Sequence, residues 1–428
     1  MSASDIRPAW QTPLQWPDVA DSRSVDRRRA LQTMGVLKAA IVAALLALTV
    51  LDRFGLRLGE LYSAHPALLA TYGLVMLMLL AGAAELNVRG AVHYAAVAGV
   101  AALSYLVNAS FGASQYVSIG SWLLLLVLYA PFVVSLREGA APASLWPWMM
   151  KAYMGFALLV AAAGIAQFLA QFVFRAAWLF DYTPLIPAPL RASGSWNTVI
   201  STGDWIKSNG FFLREPSIFS LQMGFALLVE LSLARRRWVM GVLALGLALS
   251  YSGSGLLVLA VGLLFPLGRY SLLRFAAAGA LAASVAFVLS DALNLSYTAG
   301  RVAEFSSARS SAYCRFVEPA VVTFRDLDAN GWTSLLGHGP GTLAKMHGTC
   351  QTTFAKVPFE YGLLGTLALG MLVLGALGRS SVPIRIRAAL GALWATQANL
   401  LGAEWVLLAY MLCAMWPDGS AARPGPKR

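Results

Sequence analysis

The sequence predicts an all-α, polytopic integral membrane protein. Three observations carry that prediction: composition, run length and the placement of charge. Of the 428 residues, 58% are hydrophobic and 12% are charged, which is too apolar for a water-soluble chain of this length. Apolar runs recur near the ~20 residues that a helix needs to cross a bilayer. A backbone in lipid must satisfy its own hydrogen bonds, so these runs are expected as helices. The net charge is +12. Lys and Arg sit between the apolar runs, where they set membrane orientation rather than bind nucleic acid.

The elements follow in order. Residues 1–34 are polar, with Pro8, Pro13, Pro17 and the run Arg27, Arg28, Arg29. That stretch is too long for the basic start of a signal peptide and reads as a disordered cytoplasmic tail. The membrane domain spans 35–416. It holds about 12 transmembrane helices, near 35–51, 67–84, 91–108, 117–136, 150–173, 214–233, 238–252, 254–268, 271–290, 355–378, 385–400 and 402–416. The short pair around Ser252–Gly255 reads either as two spans or as one re-entrant hairpin. Residues 417–428 form a second cytoplasmic tail. With the N-terminus inside, the short internal connections carry Arg89, Arg137, Lys151, Arg235, Arg236, Arg237, Arg269, Arg379 and Arg385. The external connections 108–116, 250–254 and 399–405 carry no Lys or Arg, as the positive-inside rule demands. Both termini are therefore expected in the cytoplasm.

Two external loops are long, about 174–213 and 291–354. Loops of that length are uncommon unless they have a function. They are also basic, with Arg191, Lys207, Arg214, Arg301, Arg309, Arg315, Arg325 and Lys345 among their cations. An external cationic site suits an anionic substrate; solvated surface charge is the plainer account. No fixed repeat and no inverted pair of broken helices is evident, which weakens a transporter reading.

The segment "LREPS" (213–217) opens one span. Pro216 suits the first helical turn and Glu215 suits the positive helix N-terminus. Arg214 is unfavourable there and needs a partner: Glu215, a lipid phosphate or a substrate phosphate. In "LLGHGPGTL" (335–343), Gly337, Gly339 and Gly341 with Pro340 make a tight turn that can offer backbone N–H groups to an anion. His338 and His347 flank it, and a histidine can serve as a base near neutrality. "DLDANG" (326–331) resembles the front of a calcium loop. Its twelfth position is Gly337, which offers no side-chain ligand, so a turn is the better reading and no metal site is expected. Cys314 and Cys350 share one external loop and either pair or remain two free thiols. No nucleophile elbow, P-loop or dinucleotide fingerprint occurs.

Three segments, "NGFFLREPS" (209–217), "ARSSAYCRFVEPA" (308–320) and "LLGHGPGTL" (335–343) followed by "FEYGLLGTL" (359–367), together resemble the superfamily of Wzy-type polysaccharide polymerases and O-antigen ligases. Length and loop size look closest to exopolysaccharide polymerases of the xanthan type. The resemblance covers about 205–370 with motifs and the rest by hydropathy. It implies an inner-membrane glycosyltransferase with no metal, nucleotide or other cofactor. Such an enzyme acts on the periplasmic side on oligosaccharide repeat units linked to undecaprenyl diphosphate. Family ligases place a His shortly before the closing Gly-x-x-Gly. Here that place falls near Gln351, one helical turn after His347, which favours polymerase over ligase.

Displacing a diphosphate builds negative charge that fixed cations must meet. Arg214, Arg309, Arg315 and Arg301 are the expected contacts, with the N–H groups of Gly339 and Gly341. Glu215, His338 and His347 are the candidate bases. Arg214→Ala and Arg309→Ala are expected to abolish polymer without loss of membrane insertion. Expected partners are the lipid-linked substrate and membrane lipids, with a chain-length regulator and export proteins as further candidates. The rival readings are a ligase that moves polymer onto a lipid acceptor and a flippase for lipid-linked sugar. A flippase would carry its cations within the spans, and here they cluster in external loops.

Overall fold

The structure, a computed structural model, describes residues 19–57, 63–111, 115–137, 144–174, 176–192, 198–202, 204–265, 306–308, 310, 312–329, 331–348, 350, 352–396 and 400–417. The helices are α1 (Val19–Thr49), α2 (Pro66–Leu80), α3 (Val88–Phe111), α4 (Ile119–Tyr129), α5 (Leu145–Ala170), α6 (Pro216–Leu233), α7 (Arg237–Leu249) and α8 (Ser254–Leu263). After them come α9 (Glu318–Ala329), α10 (Gly331–Leu336), α11 (Thr342–His347), α12 (Thr353–Gly378), α13 (Ile384–Thr396) and α14 (Ala403–Ala409). Among the described residues strands are few: three antiparallel pairs of two or three residues each, Leu56–Arg57 with Ser63–Ala64, Ala84–Leu86 with Val134–Leu136, and Ser201–Thr202 with Trp205–Ile206.

Four described helices, α3, α5, α6 and α12, are long and apolar enough to cross a membrane. Six shorter apolar helical stretches accompany them. Large apolar side chains such as Leu80, Val92, Leu106, Phe172 and Leu367 face outward, as a lipid-facing bundle requires. The chain is a mostly helical membrane protein. The expected span 271–290 lies outside the described residues.

Three local differences have physical causes. The helix of α1 begins at Val19, so residues 19–34 are helical rather than a disordered tail. Arg27 to Arg29, Ala30, Leu31 and Gln32 are all good helix formers, and they extend the following span backwards. The run 117–136 does not stay helical to its end. Pro131 sits in a 3₁₀ turn after α4, and Val134–Leu136 then pairs as a strand. The loop from 291 on is largely helical where it is described, in α9, α10 and α11.

The core is carried by α6. Its residues from Phe219 to Val229 are almost all buried. It packs on α8 at van der Waals contact of the backbones: a Cβ on Gly224 would fall 2.3 Å from the carbonyl oxygen of Gly255. Small residues at such a crossing let helices approach where lipid offers no hydrophobic drive. Ser220 seals the contact, donating to the Ser252 carbonyl (2.8 Å) and accepting the Gly255 N–H (2.9 Å). α7 and α8 are therefore two separate helices joined at 250–253 and clamped to α6.

Candidate functional site

The ends of α1, α2, α6 and α14 meet around Arg214. Glu215 is the N-cap of α6 and Pro216 its first residue, the arrangement that the sequence suggests. This places Arg214 just before the helix, where its own backbone N–H is not claimed by the helix. That N–H donates to Asp52 Oδ2 (2.9 Å), Nε donates to the same oxygen (3.0 Å) and Nη2 to Oδ1 (2.7 Å). Nη2 also donates to Glu404 Oε1, from the start of α14. Arg214 is 7% exposed and Asp52 1%. Its partner is thus a pair of carboxylates, neither of which the sequence reading named.

His65 completes the group as N-cap of α2. Its Nδ1 accepts the Ala67 N–H (3.2 Å), so the ring proton belongs on Nε2. Nε2 lies 3.9 Å from Asp52 Oδ1 and 3.8 Å from Glu404 Oε1. Ligand atoms of Asp52, His65 and Glu404 lie within 4.8 Å of one another, a spacing that could hold a cation. The Arg214 guanidinium already supplies the positive charge there, so a divalent metal would meet a like charge at hydrogen-bond range of the same oxygens.

Glu215 turns the other way. Its Oε2 accepts from Ser217 Oγ (2.8 Å) and from Arg315 Nη2 (3.2 Å). Arg315 lies in a π-helical turn, Tyr313–Val317, that leads into α9. Two links tie that turn to the start of α12: Thr352 Oγ1 donates to the Arg315 carbonyl (3.2 Å), and Cys314 and Cys350 form a disulfide. Glu215 and Arg315 thus meet across 100 residues of sequence. Arg301 and Arg309 lie outside the described residues.

The glycine turn is organised by a break in α12. Gly362 has φ 64° and ψ −166° in mid-helix, four residues after Pro358. That conformation frees the carbonyls of Phe359 and Glu360, and the N–H groups of His338 and Gly339 claim them at 2.9 Å each. Ser104 of α3 also donates to the Glu360 carbonyl (2.9 Å). The Gly339 N–H is therefore spent within the protein. The Gly341 N–H is spent too: with the Leu343 N–H (3.4 Å) it holds the Glu360 carboxylate. The N–H groups of the turn are thus turned toward a carboxyl group of the chain itself, Glu360.

The same break seats the histidines. The His338 ring stacks on Phe359 at 4.7 Å and the His347 ring meets that phenyl edge-on at 5.3 Å. Asp326 stands between them, with Oδ2 3.5 Å from His338 Nε2 and 3.9 Å from His347 Nε2. Burial holds the His338 pKa below the usual histidine range, partly offset by Asp326. Asp326 lies inside α9, so the stretch 326–329 is helix rather than a calcium-type loop or turn.

Arg53 is a further residue, beside Asp52 and Glu404, that sequence reading missed. It is fully buried and pins the loop 174–213 to the end of α1. It donates to the carbonyls of Leu213 (2.7 Å) and Phe180 (2.8 Å) and to Asp181 Oδ1 (2.9 Å), with its guanidinium over the Tyr182 ring at 4.7 Å. Its carbonyl contact on Leu213 fixes the residue next to Arg214.

All this chemistry gathers at one end of an apolar bundle. The model of the WcaD colanic acid polymerase family matches residues 41–344, more than half of the chain. That stretch takes in Asp52, His65, Arg214, Glu215, Arg315 and His338, while His347 and Glu404 lie beyond it. No curated protein and no solved structure matches the chain. Matched from the middle of α1 to past the glycine turn, the chain belongs to the WcaD colanic acid polymerase family and is a glycosyl-transferring membrane enzyme that joins repeat units into exopolysaccharide.

Proposed function

We propose that the repeat units arrive as oligosaccharides on a polyprenyl diphosphate, and that the chain joins them on the periplasmic face of a bacterial inner membrane. One observation carries this reading: ion pairs of Arg214 and Arg315 gather where α1, α2, α6 and α14 meet and the turn leading into α9 docks, with the His338–Asp326 pair on the adjoining α9–α12 segment. Charge in the short connections supports cytoplasmic termini, about 12 spans and an external position for this end. The Cys314–Cys350 disulfide supports the same side, since disulfides persist in oxidising compartments.

The chemistry is displacement of a diphosphate from an anomeric carbon by a sugar hydroxyl. Negative charge grows on the leaving phosphate and must be met by fixed cations. Arg315 is the best placed of the described arginines, with a quarter of its side chain exposed and one Nη on Glu215. Arg301 and Arg309 are proposed beside it. Arg214 acts through the carboxylates that it holds rather than as a free clamp. Two proton acceptors face this end, the His338–Asp326 pair and the carboxylates around Arg214. The glycine turn seats His338 through the break in α12.

The test is turnover by purified protein on a synthetic polyprenyl-diphosphate repeat unit, with EDTA and without nucleotide sugar. Dimers and longer oligomers by mass spectrometry are the expected result. Their absence, with the sugar lipid instead crossing sealed vesicles, would replace this reading with a flippase.

A further inference from the structure

The ion cluster at Arg214 carries unequal charge. One guanidinium faces two carboxylates, Asp52 and Glu404, and His65 Nδ1 is engaged as an acceptor of the Ala67 N–H. The carboxylates outnumber the guanidinium two to one. Asp52 takes three hydrogen bonds from Arg214 and is buried. Glu404 takes one through Oε1, and its side chain is 20% exposed. Among the described residues, Glu404 Oε2 receives no hydrogen bond. Glu215, by contrast, is paired with Arg315 and further engaged by Ser217.

A second observation points to a ligand. Beside Glu404 lies a hollow of about 20 Å³, lined by Asp52, Tyr153 and Gln222 among others. That volume takes one oxygen-sized group. Tyr153 Oη and Gln222 Nε2 are buried there without a hydrogen-bond partner, and so is His65 Nε2 across the cluster. Buried polar atoms are rarely left unpaired, and a lining of carboxylates plus unpaired O–H and N–H donors fits a group that both donates and accepts. A hydroxyl is such a group.

We propose that Glu404 is the proton acceptor of the transfer, with the acceptor sugar's hydroxyl seated between Glu404 and the Gln222 and Tyr153 side chains. Arg214 and Asp52 are positioning residues that hold the carboxylate. This assignment rests on the diphosphate-donor reading above. The hydroxyl oxygen bonds to the anomeric carbon. The bond from that carbon to phosphate breaks, and its electron pair leaves on the diphosphate. The hydroxyl proton ends on Glu404.

The experiment compares wild type, Glu404→Gln, Glu404→Asp and His338→Ala on the synthetic lipid-diphosphate repeat unit, with thermal midpoints measured alongside. Glu404→Gln should lower kcat about 10²- to 10⁴-fold, the usual worth of a general base, with KM and midpoint near wild type. It should also lose the acidic limb of the pH–rate profile. Glu404→Asp should recover part of kcat, and His338→Ala should retain the limb. Wild-type kcat in Glu404→Gln, or a loss that merely follows its folded fraction, overturns the assignment. Infrared titration of wild type against Glu404→Gln tests the carboxylate without turnover: the wild-type-minus-variant difference should hold one carboxylate band that is lost on acidification, and its absence overturns the proposal. Wild type inactive but with that band present would fault the donor reading instead.

Discussion

Removing the Arg214 guanidinium separates a substrate contact from an internal one. The sequence alone predicts that Arg214→Ala abolishes polymer and leaves insertion intact. The structure adds a cost in stability. Arg214 is 7% exposed and Asp52 1%, and three of its hydrogen bonds go to Asp52. The alanine variant would keep the backbone N–H bond but strip the buried Asp52 carboxylate of both hydrogen bonds from the guanidinium. Removing one partner of a buried pair costs about 3–5 kcal/mol, chiefly because the other charge stays buried. The sharper variant is the double change Arg214→Ala with Asp52→Asn, which removes the stranded charge and should restore a large part of that loss. Arg214→Lys should fall between, since Lys keeps the charge and loses the fork. The assay is the thermal midpoint of detergent-solubilised protein, read by size-exclusion recovery after heating. A wild-type midpoint for Arg214→Ala, or a double variant no better than the single, would refute the reasoning. In that case Arg214 would return to being a free contact for phosphate.

Three further outcomes follow from the same geometry. Arg315→Ala should abolish polymer while changing stability by less than about 1 kcal/mol, because its ion pair with Glu215 is part-exposed; a large drop in midpoint would make the pair structural. His338 has its pKa depressed in the folded protein, so folding disfavours its protonation. Its stability contribution is therefore present above the ordinary histidine value of 6.5 and is lost as pH falls through the lower folded value. Between 6.5 and that lower folded value, thermal midpoints of wild type should fall on acidification more steeply than those of His338→Gln; parallel curves would refute this. Gly362→Ala should prevent accumulation of folded protein, since the position has φ 64° and a Cβ would lie 2.3 Å from the Leu335 carbonyl, as expression measured in membranes would show.

Sequence by itself determined the membrane class and the places of most helices. Each span closes its own hydrogen bonds and faces lipid, so its signal is local and additive. The start of α6 was legible for the same reason, because Glu215 and Pro216 act on the residues beside them. His338 and His347 could be picked out from their flanking of a Gly-Pro turn, though not their shared Asp326. The break at Gly362 was visible only as a Tyr-Gly motif, because a positive φ leaves no mark beyond the glycine that permits it. What only the tertiary structure decided is who faces whom. Asp52, His65, Arg214 and Glu404 belong to four helix ends spread over most of the chain, and no period or spacing links them. Charge pairs through space, and the packing of α1, α2, α6 and α14 sets that space. A rule that reads Arg214 from its neighbours finds a cation in search of phosphate, whereas the fold brings it two carboxylates from residues 162 and 190 positions away.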